Sequence, residues 1–174
     1  MLNLSPVLKH PTFQKLDQEL EAVFANAPHL PKKVVDVLVK IAPYMMLVSG
    51  LFMITGGLQS IFGANSFYRM MDLWMNTPPF YFYLIGLLQI VAGALSIIAY
   101  QPLRSRLLEG WQIMFILTWL SLLMNLVSVG FFRDGLFGLL LSLLLSLYLI
   151  YELRPAYVGA DKLKKVQTLK RKKK

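Results

Sequence analysis

Four long apolar runs, at 41–62, 79–100, 111–131 and 135–151, take up most of the chain, and none contains Asp, Glu, Lys, Arg or His. A helix crosses a bilayer core with about 20 apolar residues. The first three runs meet that length. The fourth meets it if its helix continues about one turn through Glu152, Leu153 and Arg154 before Pro155, which is expected to stop it. The pattern predicts an all-α polytopic membrane protein, an antiparallel four-helix transmembrane bundle with spans at 41–62, 79–100, 111–131 and 135–153 inside a membrane domain of residues 31–155.

The flanks read differently. Residues 1–30 form an N-terminal segment with an amphipathic helix expected at 12–25. Thr12 can cap it after Pro11, and Phe13, Leu16, Leu20, Val23 and Phe24 fall on one face. The other face carries Asp17, Glu19 and Glu21 against Lys15. A helix lying on anionic lipid is normally basic on its polar side, so this one is expected to pack on the cytoplasmic side of its own protein or on a partner. Pro31 suits a first helical turn. Pro43 either sits near a local start of the first span or kinks a helix that began at Pro31. The connection 63–78 holds Phe67, Tyr68, Met70, Met71, Leu73 and Trp74, too apolar for a solvated loop. An external interfacial helix is expected there, capped by Asn65 or Ser66 and ended by Thr77-Pro78-Pro79. Asp134-Gly135 supplies a tight turn, which makes the last two spans a hairpin.

Small residues suggest how the spans meet. Gly50-Leu51-x-x-Ile54-x-x-Gly57-x-x-Ser60-Ile61 matches Gly86-Leu87-x-x-Ile90-x-x-Gly93-x-x-Ser96-Ile97. Each copy sets Gly, Gly and Ser on one helix face. In lipid no hydrophobic force joins helices, and small side chains let backbones approach. The first two spans are therefore expected to pack closely along Gly50, Gly57 and Ser60 against Gly86, Gly93 and Ser96; duplication and chance both account for the match. Gly138, Ser142 and Ser146 form a further small-residue face, expected to serve helix packing in the fourth span.

Charge orients the bundle. The chain has a formal charge of +9, and of its 18 Lys and Arg all but Arg69 and Arg133 lie in the two terminal segments or in the second connection. Basic residues collect on the cytoplasmic side, so both termini are expected there, as an even number of spans requires. The tail 156–174 carries Lys162, Lys164, Lys165, Lys170, Arg171, Lys172, Lys173 and Lys174. Such clusters attract anionic headgroups at about 1 kcal/mol per charge near the surface, and this contact with the bilayer, not nucleic acid, is expected of them. The first 30 residues show no signal-peptide pattern and no myristoylation start, so the first span is expected to direct insertion itself.

The candidate chemistry is sparse. With no cysteine, disulfides, thiol nucleophiles and thiolate metal sites are excluded. A small multidrug antiporter needs a carboxylate in its first span, where this chain has only Ser49 and Thr55. His10 and His29 stand far apart among prolines and read as loop residues, so no metal site is expected. Met70, Met71 and Met75 lack a His or Cys to help hold Cu(I), and methionine commonly fills apolar space. No catalytic residue and no cofactor is expected. The polar residues inside the spans include Gln59, Gln89, Thr118 and Asn125 besides the serines. Gln89 and Asn125 are the intramembrane polar candidates, either joining helices for about 0.6–2 kcal/mol each or lining a small cavity.

Leu30-Pro31 leading to Lys40-Ile41-Ala42-Pro43, then Gly110-Trp111, then Tyr148-Leu149-Ile150-Tyr151-Glu152-Leu153-Arg154-Pro155 resemble small uncharacterised four-span bacterial membrane proteins, similar in general shape to DoxX-type proteins. The likeness covers roughly residues 30–155. It implies a bacterial inner membrane and carries over no activity and no functional residue. The expected role is non-catalytic: assembly or interaction within the membrane, as a homo-oligomer or in a larger complex. The alternatives are a carrier or binding protein for a small neutral or apolar molecule such as a lipid or quinone, and a membrane subunit of a larger enzyme.

Overall fold

The computed structural model describes residues 27–63, 79–132 and 136–172, and before them residues 15, 19–21, 23 and 24; side-chain surroundings are described for all of these but 79, 129–132, 136 and 160–172. Among the described residues four long helices follow one another: α1 (Lys32–Phe62), α2 (Pro79–Arg104), α3 (Leu108–Phe132) and α4 (Leu136–Lys172). Each contains a stretch long and apolar enough to cross a membrane, and among the described residues there is no strand. The apolar runs are helical because nothing else satisfies every backbone N–H and C=O inside hydrocarbon.

All four helices run past the ends of their apolar runs, α3 by a few residues only. Pro31, with φ −55°, precedes α1, which begins at Lys32 and carries Pro43 in its interior. Proline at 43 has no N–H to give to residue 39, one lost bond that a long helix tolerates. α2 passes through Pro102 to Arg104. The largest departure is α4. Pro155 was expected to end it and the tail to follow as a separate segment, yet the helix runs through Pro155 to Lys172. Proline forfeits one hydrogen bond, while the Lys- and Leu-rich sequence beyond it favours continuation. The interfacial helix expected within 64–78, the turn at 133–135 and the cap at Thr12 lie outside the described residues.

α1 and α2 form the closest pair, α2 packs on α3 and α3 on α4, while α1 meets α4 only sparsely. The reason for the first contact is steric. A Cβ added at Gly50 would stand 2.8 Å from the Gly93 carbonyl oxygen, and one at Gly57 would stand 2.6 Å from that of Gly86. The reciprocal positions are as tight, at 2.7 Å for Gly93 and 2.8 Å for Gly86. The pairing is symmetric under the sequence repeat: Gly50 faces Gly93 as its counterpart Gly86 faces Gly57, and Ile97 lies on Gly50 as Ile61 lies on Gly86. A pseudo-two-fold axis therefore passes between the helices, so that one helix is the other turned upside down. Ser60 and Ser96 close the seam, each buried and donating to a carbonyl of its own helix, Gly56 and Ala92.

The turn from α2 to α3 is equally close. Leu107 N–H reaches the Pro102 carbonyl at 2.9 Å and Arg106 N–H the Leu103 carbonyl at 3.0 Å, with Arg106 itself at φ 50°. This is a Schellman cap with arginine where glycine is usual. The chain then doubles back so tightly that a Cβ on Gly110 would lie 2.7 Å from the Leu103 backbone nitrogen. Only glycine fits there, which seats Trp111 in the core.

Candidate functional site

Because α1 and α4 barely touch, the bundle is closed on three sides and parted on the fourth. Between them lies a cleft of about 410 Å³ whose floor is α3. Its walls are apolar, with Met45, Met46 and Met53 from α1, Met114 and Met124 from α3, and leucines of α4. Into it also come Ser49 of α1, Ser96 of α2, Thr118, Ser121 and Asn125 of α3, and Ser142 and Ser146 of α4. No charged side chain lines it. Methionine thioethers adapt to irregular apolar shapes, so this lining can close around a flexible guest.

The small polar groups are held by their own helices. Ser49 donates to the Met46 carbonyl at 3.1 Å, Thr118 to Met114 at 3.1 Å, and Ser142 to Leu139 at 3.0 Å. Asn125 donates through Nδ2 to the Ser121 carbonyl at 2.8 Å. At the end of the bundle away from the chain termini, Ser128 donates to the Met124 carbonyl at 2.9 Å, so the 3.0 Å bond between Tyr81 and Ser128 is donated by the tyrosine. This ties α2 to α3.

The opposite end is sealed by the N-terminal segment. Trp111 donates its indole N–H to the Ile150 carbonyl at 2.8 Å and stacks on Phe115 at 5.5 Å, with Tyr151 edge-on at 5.9 Å. The Arg154 guanidinium lies 5.0 Å over the Trp111 ring, a partly desolvated cation–π contact, and pairs with Glu21 at 2.7 Å. Phe24 stacks on Tyr151 at 5.5 Å, and Leu20 packs beside it on the core. Glu152 accepts the Leu30 N–H at 2.9 Å and contacts His29 at 3.2 Å, while Tyr148 donates to the Pro28 carbonyl. Glu21, Phe24 and residues 28–30 therefore form a strap that joins the start of α1 to α4 at this end.

The sequence-derived candidates are dispersed by this geometry. Gly50, Gly57, Ser60, Gly86, Gly93 and Ser96 meet along the α1–α2 seam. Gly138, Ser142 and Ser146, expected to pack a helix, do not: nothing lies within 4 Å of a Cβ placed on Gly138, and the two serines line the cleft. The cause is the parting of α1 from α4, which leaves that face without a neighbour in this chain. Gln89 and Asn125 are separated. Gln89 turns into the α1–α2 interface beside Gly56, its Oε1 buried without a hydrogen bond, whereas Asn125 lines the cleft. The basic tail is helical as far as Lys172, and its side chains lie outside the described residues, as do Lys173 and Lys174 altogether. His29 sits in the loop ahead of α1 but contacts Glu152.

Two sets of residues escape a reading by charge alone. The strap partners Glu21, Tyr148, Glu152 and Arg154 depend on contacts across more than a hundred positions. The cleft face of α3 left a visible trace, since Thr118, Ser121 and Asn125 recur at helical spacing in an otherwise apolar run. Among the described residues no cluster of His, Asp and Glu could hold a metal ion. No family model matches this chain, and neither a curated protein nor a solved structure matches it.

Proposed function

We propose that this protein is a non-catalytic membrane binding protein that takes a small neutral, largely apolar molecule from the lipid phase into the cleft between α1 and α4. The observation that carries the reading is the cleft itself: about 410 Å³, reached from the side, lined by all four helices and free of charged side chains. Ligand sites of about 300–1,000 Å³ with mostly apolar walls and a few convergent polar groups are the usual form of small-molecule pockets. Charged substrates are disfavoured, because an unpaired ion in such a setting carries a heavy desolvation penalty.

Assembly within the membrane is the second reading, favoured by the bare face at Gly138 beside the exposed leucines 140, 141, 144 and 145. On either reading the protein sits in a bacterial inner membrane with both termini in the cytoplasm, as the distribution of Lys and Arg favours, and the basic residues from Lys162 to Lys174 meet anionic headgroups.

The test is gentle solubilisation followed by native mass spectrometry and extraction of bound small molecules. A stoichiometric neutral molecule is expected with the unaltered protein and is expected to be lost in Ser142→Phe and Ser146→Phe, which fill the cleft. A dimer or larger complex with an empty cleft, dissociated by Gly138→Phe, would establish assembly instead.

A further inference from the structure

We propose that Lys40 and Arg104 form a site for the phosphate of an anionic phospholipid, at the end of the α1–α2 pair that carries the chain termini. The site stands on the outside of the bundle, and none of the residues that build it lines the cleft. It is also separate from the basic tail.

Register brings the two cations to one level. Gly50 of α1 meets Gly93 of α2, and the helices run in opposite directions. Lys40 precedes Gly50 by ten residues and Arg104 follows Gly93 by eleven. At the rise of an α-helix both therefore lie about 15 Å from that crossing point, toward the same end. One turn deeper, Tyr44 and Tyr100 meet edge-on across the two helices, with ring centroids 6.0 Å apart. Each tyrosine is four residues from its cation and shares that cation's helix face.

Arg104 is positioned and uncommitted. Its Nη1 donates to the Tyr100 hydroxyl at 3.3 Å, and its guanidinium carbon lies 6.0 Å from the centre of that ring. The carbonyls ending α2 do not claim it, since those of Gln101, Pro102 and Leu103 accept the backbone N–H groups of Ser105, Leu107 and Arg106. No carboxylate claims it either. The acids nearest in sequence, Asp36 to Lys40 and Glu109 to Arg104, pair with neither cation, and among the described residues no other acid does.

Two exposed cations at a span end, without a counter-ion in the chain, call for an anion from outside. A guanidinium meets phosphate oxygens with parallel N–H donors, and a lysine adds a second charge on a flexible stem. The surface beside the cations makes that anion a lipid. Tyr44, Leu51 and Leu58 recur at spacing seven along the outside of α1 and are 53%, 54% and 42% exposed. They form an apolar bed for an acyl chain, running inward from the phosphate. Charge then selects the headgroup. A choline or ethanolamine headgroup sets its own ammonium against two cations, whereas a glycerol headgroup brings no positive charge. Phosphatidylglycerol fits both parts of the site.

The probe is a phosphatidylglycerol with a diazirine on its headgroup, a minor component of phosphatidylcholine nanodiscs that hold the full-length protein. Labelled peptides are mapped by mass spectrometry. Labelling is expected in the peptides containing Tyr44 and Tyr100. Unlabelled phosphatidylglycerol is expected to compete about 10-fold better than phosphatidylethanolamine, as two interfacial charges imply, and soluble glycerol phosphate not to compete. Arg104→Gln is expected to lower labelling of both peptides about 5-fold, the effect of one such charge, while labelling of the tail peptides stays unchanged. Lys40→Gln should act in the same direction, and Arg104→Lys should retain part of the labelling. Helix content by circular dichroism confirms that each variant is folded. Full labelling in both glutamine variants would overturn the site. Equal competition by phosphatidylethanolamine would overturn the anionic selection. Competition by glycerol phosphate as strong as by the lipid would overturn the lipid as its source.

Discussion

At the scale of single residues, glycine does two different things in this chain, and the two are separable by experiment. Gly57 holds α1 against the Gly86 carbonyl, where an added Cβ would stand at 2.6 Å from backbone that cannot rotate away. Gly57→Ala is therefore expected to push the helices apart, at a cost of about 1–3 kcal/mol typical of overpacking. Gly138 meets nothing within 4 Å, and there alanine only improves helix propensity, by up to about 1 kcal/mol. Reversible unfolding in mixed micelles titrated with SDS, followed by far-ultraviolet circular dichroism, should show the first variant destabilised and the second unchanged or firmer. A Gly57→Ala protein as stable as its parent would mean that the seam does not hold the pair together. Gln89 is the costly residue of this neighbourhood. Its Oε1 is buried in the same interface with no hydrogen bond, so Gln89→Met, similar in length and without the amide, is expected to stabilise the hairpin in the same titration.

Between elements, the decisive contact is the strap across the end that carries the termini. Phe24 on Tyr151, Arg154 between Glu21 and the Trp111 ring, and Glu152 on the Leu30 N–H tie Glu21, Phe24 and Leu30 to α4. The Arg154–Glu21 pair adds little, because Glu21 is 58% exposed and solvent-screened pairs contribute about 0–1 kcal/mol. Glu152 is 11% exposed, and a hydrogen bond to a charged group is worth about 1.5–3 kcal/mol. Glu152→Ala is thus expected to speed amide exchange across residues 20–31 by about 10- to 100-fold, at about 1.4 kcal/mol per tenfold, while exchange along the α1–α2 seam stays slow. Glu152→Gln, which keeps an acceptor for Leu30, should lie between. Unchanged protection in Glu152→Ala would show that the aromatic contacts alone hold the strap. These elements also show what the sequence can convey. The spans were legible because bilayer thickness and backbone satisfaction write themselves into run length, and the α1–α2 faces because small residues recur at helical spacing. Glu152 as the strap's anchor was not legible, since its partners lie more than a hundred positions away. The continuation of α4 through Pro155 was missed because a single lost hydrogen bond is outweighed by the helix on either side. Ser142 and Ser146 read as packing residues because a small residue lining a cleft and one touching a helix look alike in sequence.

For the whole molecule, the cleft and the strap give the bundle a polarity that matters only once its orientation in the membrane is fixed. The strap closes one end of the parting between α1 and α4, and Asn125 and Ser142 lie toward the other, so lateral entry is easiest in the leaflet away from the termini. In the orientation proposed above that is the outer leaflet: only Arg69 and Arg133 stand in the two connections on the far side, and the bias counts most strongly in short connections near span ends. Because the chain has no cysteine, single thiols can be introduced without background. Lys33→Cys, ahead of the first span, is expected to resist a membrane-impermeant maleimide in intact spheroplasts and to label only after lysis. Asn65→Cys, between α1 and α2, should label in both. Reversal of that pattern would place the termini outside, move the open end of the cleft to the inner leaflet and detach the basic tail from cytoplasmic lipid. The expected pattern would instead make the outer leaflet the source of the guest, because the open end of the cleft would then lie in that leaflet.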